Sequence, residues 1–274
     1  MKKFLVMAMA AAGVLTACTS NDDLGGGVNP SDQQQIKLGV SNATVSTRGT
    51  GTVGDLASGE NKWAGQYLWV YMLDKGSLDV AKYVDRTATE VSTEIFDNKL
   101  FVAPNEGDDT DSGIAKPEDG TIAYYPVTGN SDFWGYRVDD ACNADPKVAP
   151  TVKFCNENNE EVAEEAATRR VVDVTIDGSQ DIMAGKAELD EGQTAKMGEG
   201  TRAADYFSAY AARKGVQPNI KFNHLLTRLT FQVKAGNQSA TGDGTNTNPV
   251  TVTKVAVESK TKGKLVVAHT EIAP

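Results

Sequence analysis

Beyond residue 35 the apolar side chains come in short runs, roughly four to eight residues long, separated by Gly, Pro, Asp and Asn; this spacing restricts the fold more than any other feature. Ile36, Leu38 and Val40 alternate with Lys37, Gly39 and Ser41, which puts three aliphatics on one face of an extended segment. Tyr67 to Leu73 is continuously apolar and rich in aromatics, as in a strand buried on both faces. Thr121 to Pro126 and Phe133 to Val138 read as strands flanking the turn Thr128-Gly129-Asn130-Ser131, and Val171 to Ile176 as another, ended by Asp177-Gly178. Ile220, Phe222, Leu229, Phe231 and Val233 form a further alternating set, with a phase change near Leu225-Leu226 that a bulge would explain. Val250, Val252, Val255 and Val257 predict another strand, and Leu265-Val266-Val267 a last one. Two segments read as helical insertions: Asn156 to Arg170, rich in Glu and Ala, and Thr201 to Lys214, with Tyr206, Phe207 and Tyr210 at helical spacing before Gly215. The expectation is an all-β protein of β-sandwich type with short helical insertions.

The N-terminus carries an address. Met1-Lys2-Lys3 precedes an apolar run from Phe4 to Leu15, the length of a signal peptide and short of the ~20 residues a membrane span needs. Leu15-Thr16-Ala17-Cys18 resembles a bacterial lipobox, which implies cleavage before a diacylated Cys18; a simple secretory signal would leave that cysteine incidental. Losing residues 1–17 removes Lys2 and Lys3 and leaves 25 basic against 37 acidic residues, net −12 in place of −10. Acyl chains on Cys18 would hold the protein to the outer membrane, each buried CH₂ contributing ~0.8 kcal/mol. Thr19-Ser20-Asn21-Asp22-Asp23 resembles the acidic export signal of surface lipoproteins in Bacteroidetes, and residues 18–34, with Gly25-Gly26-Gly27 and Gln33-Gln34-Gln35 at its end, read as a flexible tether.

Little chemistry is written in the rest. An acidic chain without a Lys/Arg cluster does not suit nucleic acid, whose phosphates need a basic surface. The motif Gly49-Thr50-Gly51-Thr52-Val53-Gly54 is followed by the polar Asp55-Leu56-Ala57-Ser58-Gly59, where a dinucleotide site needs a helix. Met183-Ala184-Gly185-Lys186-Ala187 fails as a P-loop because Ala187 replaces the metal-binding hydroxyl and Gln180 the first glycine. Asp108, Asp109 and Asp111 lack the glycine and the position-12 Glu of a calcium loop. His224, between Asn223 and Leu225 in a predicted strand, reads as a hydrogen-bonded structural residue. No catalytic residue, metal site or cofactor is expected. After lipidation two cysteines remain, Cys142 and Cys155; they form either a disulfide closing a short loop across Pro146 and Pro150, stabilising by ~3 kcal/mol, or two buried free thiols.

Several segments come in the order seen in a known family. After the lipobox come an early strand ending in Thr47-Arg48, then Leu68-Trp69-Val70-Tyr71-Met72, then Tyr124-Tyr125-Pro126 with Asp132-Phe133-Trp134-Gly135-Tyr136. Asp181-Ile182-Met183-Ala184 and finally Phe222-Asn223-His224-Leu225-Leu226-Thr227-Arg228-Leu229-Thr230-Phe231 complete the set. In this order the chain resembles the fimbrillins of Bacteroidetes, the subunits of type V pili, from Cys18 to about Val257. The resemblance implies transthyretin-like β-sandwich domains, two of them, and assembly on the cell surface from a lipidated precursor. It implies that an Arg-specific protease cuts after the first strand, here at Arg48, and that the opened groove accepts a strand from another fimbrial subunit.

On this reading the chain divides into a signal peptide at 1–17, a tether at 18–34 and an N-terminal sandwich at 35–185. A linker with a helical insertion follows at 186–219, and a second sandwich begins at 220–274, too short to be complete and showing no donor strand. The expected function is structural and non-enzymatic: a fimbrial subunit supporting adhesion. The alternative is a lipid-anchored glycan-binding module of a nutrient-uptake system, which would use exposed aromatic platforms drawn from Trp63, Trp69 and Trp134.

Overall fold

The computed structural model describes residues 33–42, 65–85, 91–103, 114–197, 207–227, 229, 231–234 and 251–270. In chain order the strands are β1 (Leu38–Asn42), β2 (Tyr67–Asp74), β3 (Lys82–Asp85), β4 (Val91–Glu94), β5 (Lys99–Val102) and β6 (Ile114–Pro117). They continue with β7 (Ser131–Arg137), β8 (Val152–Cys155), β9 (Arg169–Thr175), β10 (Met183–Ala187), β11 (Asn219–His224) and β12 (Lys262–His269). Helices α1 (Glu191–Met197) and α2 (Ala209–Arg213) lie between β10 and β11, within the segment expected to hold a helical insertion. The protein is predominantly β, as its short apolar runs predict.

Seven strands close into a barrel in the order β1-β11-β10-β7-β2-β5-β6, with β6 returning to β1. All the pairings in this ring are antiparallel except one: β1 runs parallel to β11. A second sheet, ordered β12-β9-β8, and the hairpin β3-β4 complete the pairing. β2 shows why its sequence is continuously apolar. Leu68, Val70 and Met72 belong to the first core cluster with Leu38, Phe101, Phe133, Ile220 and Phe222. Trp69, Tyr71 and Leu73 belong to a second with Trp134, Tyr136, Val172, Val174, Leu265 and Val267. Successive side chains leave a strand on opposite faces, so β2 and β7 form a wall shared by the barrel core and by the core under β9 and β12.

Two glycines make this wall fit. Gly135 and Gly185 stand opposite each other in the β7–β10 register, and Gly185 also faces Phe222 in β11. A Cβ on Gly135 would lie 2.8 Å from Phe222 Cζ and 2.9 Å from Ile220 Cδ1; one on Gly185 would lie 2.1 Å from the carbonyl oxygen of Lys221. The glycine that gave residues 183–187 the look of a broken phosphate loop is therefore a close-approach residue between strands.

Several expectations are corrected. Asn156 to Arg170 is not a helix but the whole β8–β9 connection, with a single 3-10 turn at Glu164–Ala166, and the first two residues of β9. Asn156 Oδ1 accepts the backbone N–H groups of Asn158 (2.9 Å) and Glu160 (3.0 Å), and Asn159 takes a left-handed φ of 61°; such local bonds compete with helix. Thr121 to Pro126 makes only a bridge, Gln35 to Tyr124. Of the second helical segment, only Ala209–Arg213 is helical within the described residues. The strand begun by Ile220 ends at His224, and Leu229, Phe231, Val233, Val252, Val255 and Val257 lie exposed outside any strand. The boundary expected at residue 220 does not separate two pairing systems: β11 is a barrel strand and β12 pairs with β9, so both complete sheets begun earlier. Gln33–Pro274 forms one unit by its internal contacts.

Candidate functional site

The site that the sequence singles out is the lane occupied by β1. Its alternating pattern works as read: Leu38 is 1% exposed and Ile36 8%, while Val40 packs half-buried against the same core. On one side β1 pairs with β11, Gly39 opposite Asn219 through Asn42 opposite Phe222. On the other it meets β6, Leu38 opposite Ala115 and Gly39 opposite Ile114. The chain before β1 is held as well. Tyr125 N–H donates to Gln34 O and Ile36 N–H to Ala123 O, both at 2.9 Å, and Gly39 N–H donates to Pro218 O at 2.9 Å. Lys37 N–H reaches Gln217 Oε1 (3.1 Å), and Ser41 Oγ donates to Asn219 Oδ1 (3.2 Å).

Each inward aliphatic contributes ~1.5–3 kcal/mol when fully buried, so β1 is a firmly seated strand. Without it, β6 and β11 would each present an unpaired edge above an open apolar core, and such an edge pairs readily with an added strand. Beside the lane lies a partly open cleft of about 320 Å³ with mixed walls, Ile36, Ile114 and Ile122 alternating with Lys37, Lys116 and Thr121. Cys18 and Arg48 lie outside the described residues; Arg48 follows the last residue of β1, Asn42, by six positions.

Two of the segments that carry the family resemblance meet in space. β10 and β11 pair antiparallel with Met183 opposite His224, and Asp181, fully buried, shares a 2.7 Å hydrogen bond between its Oδ1 and His224 Nδ1. A second layer holds Asp181 in place. Its N–H donates to Asp139 Oδ2 (2.8 Å), and Arg137 Nη1 donates to its carbonyl (2.8 Å). Arg137 also pairs with Asp139 and donates to Gln66 Oε1 (2.9 Å). Burial pushes the Asp139 carboxyl above its usual range, and the Arg137 charge opposes that rise. His224 is hydrogen-bonded, as its sequence position suggests, and Asp181, not singled out there, is its partner; both lie in the segments that carry the resemblance. The pair clasps the start of β10 to the end of β11, the strand that carries β1. Replacing His224 with alanine leaves a buried acceptor short of a donor and is expected to lower stability by about 1–3 kcal/mol, read from urea unfolding; an unchanged midpoint would contradict the clasp.

Of the two alternatives for Cys142 and Cys155, a disulfide or a pair of free thiols, the structure has the second. Cys142 Sγ donates to the carbonyl of Asp173 (3.5 Å), whereas Cys155 sits opposite Arg169. These two positions are four residues apart on β9, about 13 Å along an extended strand, beyond the ~7 Å Cα separation that a disulfide can bridge. Burial pushes the Cys142 thiol up to about 11. At pH 8 only about a thousandth of it is thiolate, the reactive form. Alkylation by iodoacetamide should accordingly be slow at pH 8 and quicken about tenfold per pH unit up to about 11; modification at pH 8 as fast as in a small peptide would refute this. Among the described residues no group of three or more His, Cys, Asp or Glu side chains is placed to hold a metal ion. Compared with known proteins, the chain matches no family model, no curated protein and no solved structure.

Proposed function

We propose that this chain is a non-enzymatic structural subunit of cell-surface fimbriae, exported as a lipoprotein, held to the outer membrane by lipid on Cys18, and polymerised by strand exchange after an Arg-specific protease cuts at Arg48. The observation that carries the reading is the place of β1. It is the first strand of the barrel, seated between β6 and β11, and Arg48 lies six residues past its end in a Gly/Thr-rich segment, the composition in which nicking concentrates. A cut there leaves β1 attached to the barrel by non-covalent contacts alone. Its departure opens a groove with the chemistry to take an extended strand from a neighbouring subunit. The barrel with its added β12-β9-β8 sheet is, on this reading, a variant of the transthyretin-like sandwich of that family.

The test is to treat the purified mature chain with an Arg-specific protease under native conditions, sequence the new N-terminus and examine the product by electron microscopy. A new terminus at Gly49 followed by filaments is the expected result, with Arg48→Gln remaining uncut at that bond. A bond that resists cleavage, or a cut product that stays monomeric alongside other fimbrial subunits, would sink the proposal.

One observation favours the alternative of a glycan-binding module. A cleft of about 520 Å³ lies between β2, β8 and β9 and carries Asp79, Asn98, Phe154 and Arg170 in its walls, a mix of polar groups and an aromatic ring. Against it, Trp69 and Trp134 are 6% and 8% exposed and offer no stacking platform, while Trp63 lies outside the described residues. Binding on a glycan array by a monomer that forms no polymer would decide for this second reading.

A further inference from the structure

The chain leaves β11 at His224 and bends at Leu226, where Leu225 N–H donates to Ile182 O (2.9 Å) and Leu226 packs half-buried on the second core cluster. Beyond the bend Leu229, Phe231 and Val233 alternate with Thr230 and Gln232, the period of a half-buried strand. Yet they are 58%, 56% and 63% exposed, because the edge of β11 nearest to them is taken by β1. Folded back through a turn at residues 225–228, the segment would run antiparallel to β11, with Leu229 opposite His224, Phe231 opposite Phe222 and Val233 opposite Ile220. Hairpin loops of that length are common. Ile220 and Phe222 face the barrel core and are fully buried, and directly opposite residues share a face, so Phe231 and Val233 would point inward. The backbone agrees with this register. Pro218 O accepts from Gly39 N–H on the β1 side, whereas Leu225 N–H turns the other way, to Ile182 O. Backbone groups alternate sides along a strand, so Ile220, Phe222 and His224 offer theirs to the lane, and a hairpin closed by His224 and Leu229 uses them.

We infer, resting on the strand-exchange reading above, that residues 229–233 are a strap for the vacated lane: once the cut chain has lost β1, they fold back on β11 and cover the core until a neighbour's strand arrives. Leu229 lies five residues past the end of β11, so the strap's effective concentration at that edge is about millimolar. It is nevertheless the weaker occupant. Val233 takes the level of Val40, since both stand opposite Ile220, but the next inward position is Ala235, where β1 has Leu38. The smaller side chain buries less apolar surface. β1 therefore keeps the lane in the intact chain, and a neighbour's strand with a full-sized aliphatic at the Leu38 level displaces the strap. In the interval the strap closes an edge that would otherwise pair unselectively with other chains.

The experiment pairs Lys221→Cys with Gln232→Cys, two exposed positions that the fold-back sets opposite each other on the outer face. The chain is cut at Arg48, freed of its N-terminal fragment and oxidised under native conditions. A disulfide between the two is expected in the freed chain and not in the intact one, where Ser41 stands opposite Lys221. Lys221→Cys with Lys234→Cys, two residues out of register, is expected to stay open. Adding Phe231→Asp, or a synthetic peptide of residues 33–42, is expected to abolish the cross-link. Equal cross-linking of the two pairs, cross-linking that survives Phe231→Asp, or filaments built from freed chain that never cross-links overturns the strap; the last leaves strand exchange standing. A freed chain that cross-links in register yet never assembles with other fimbrial subunits overturns strand exchange and leaves the strap. A fragment that cannot be removed from the cut chain overturns both.

Discussion

Gly185→Ala is expected to cost about 3 kcal/mol or more and to lower the urea midpoint of unfolding accordingly, at the upper end of what overpacking a strand interface does. The added methyl would sit 2.1 Å from the carbonyl oxygen of Lys221 and 2.8 Å from its carbon, and backbone cannot step aside as a flexible side chain can. β10 and β11 would have to separate, which also strains the contact of Asp181 with His224 at the end of the same pair. Gly263→Ala is the matched control. Its Cβ would meet Val174 Cγ2 at 3.5 Å, ordinary contact, so its midpoint should hardly move. Equal stability of Gly185→Ala and wild type would mean that the two strands are not packed this closely.

Leu38→Ala has a comparable effect with a functional reading. Leu38 is 1% exposed in the barrel core, and truncating a buried leucine costs about 2–5 kcal/mol. In the uncut chain this lowers the unfolding midpoint. In the chain cut at Arg48 the same loss falls on the seat of a strand no longer covalently held. Gel filtration should then separate the N-terminal fragment from the barrel, where the wild-type fragment remains associated longer. A cut Leu38→Ala chain that keeps its fragment as firmly as wild type would show that the lane owes little to this side chain.

Much of the barrel can be read from local pattern, because burial dictates residue type along each strand. Tyr67 to Leu73 announces a strand with two buried faces, and Val171 to Ile176 falls almost on β9. What cannot be read is pairing between strands far apart. Nothing local to Ile220 says that it completes the barrel of Leu38 and Met72 instead of opening a new domain, since that depends on register across the chain. Asn156 to Arg170 misleads for a different reason. Its Glu and Ala content favours helix, but the Asn156 side chain binds the backbone first and fixes a turn. Alternation at Leu229, Phe231 and Val233 likewise predicts a strand where the structure has exposed chain, so period alone does not secure a partner. Within the site, the inward face of β1 was legible from period two; the open cleft beside it was not, because a cleft is a property of several segments at once.

The parallel pairing of β1 with β11 has a consequence for the order of events in folding. The two strands are joined by about 180 residues of chain, and contacts of such separation form late because the loop between them must first be closed. β1 is nevertheless synthesised first. Its parallel pairing must wait until β11 has taken its place beside β10, whatever it makes earlier with β6, and pulse-labelled hydrogen exchange should find the β1 amides bonded on the β11 side among the last to be protected. Early protection would reverse this order. A pairing that forms last contributes little to building the rest of the barrel, so strand exchange as proposed would undo the final step of folding and leave the earlier ones intact.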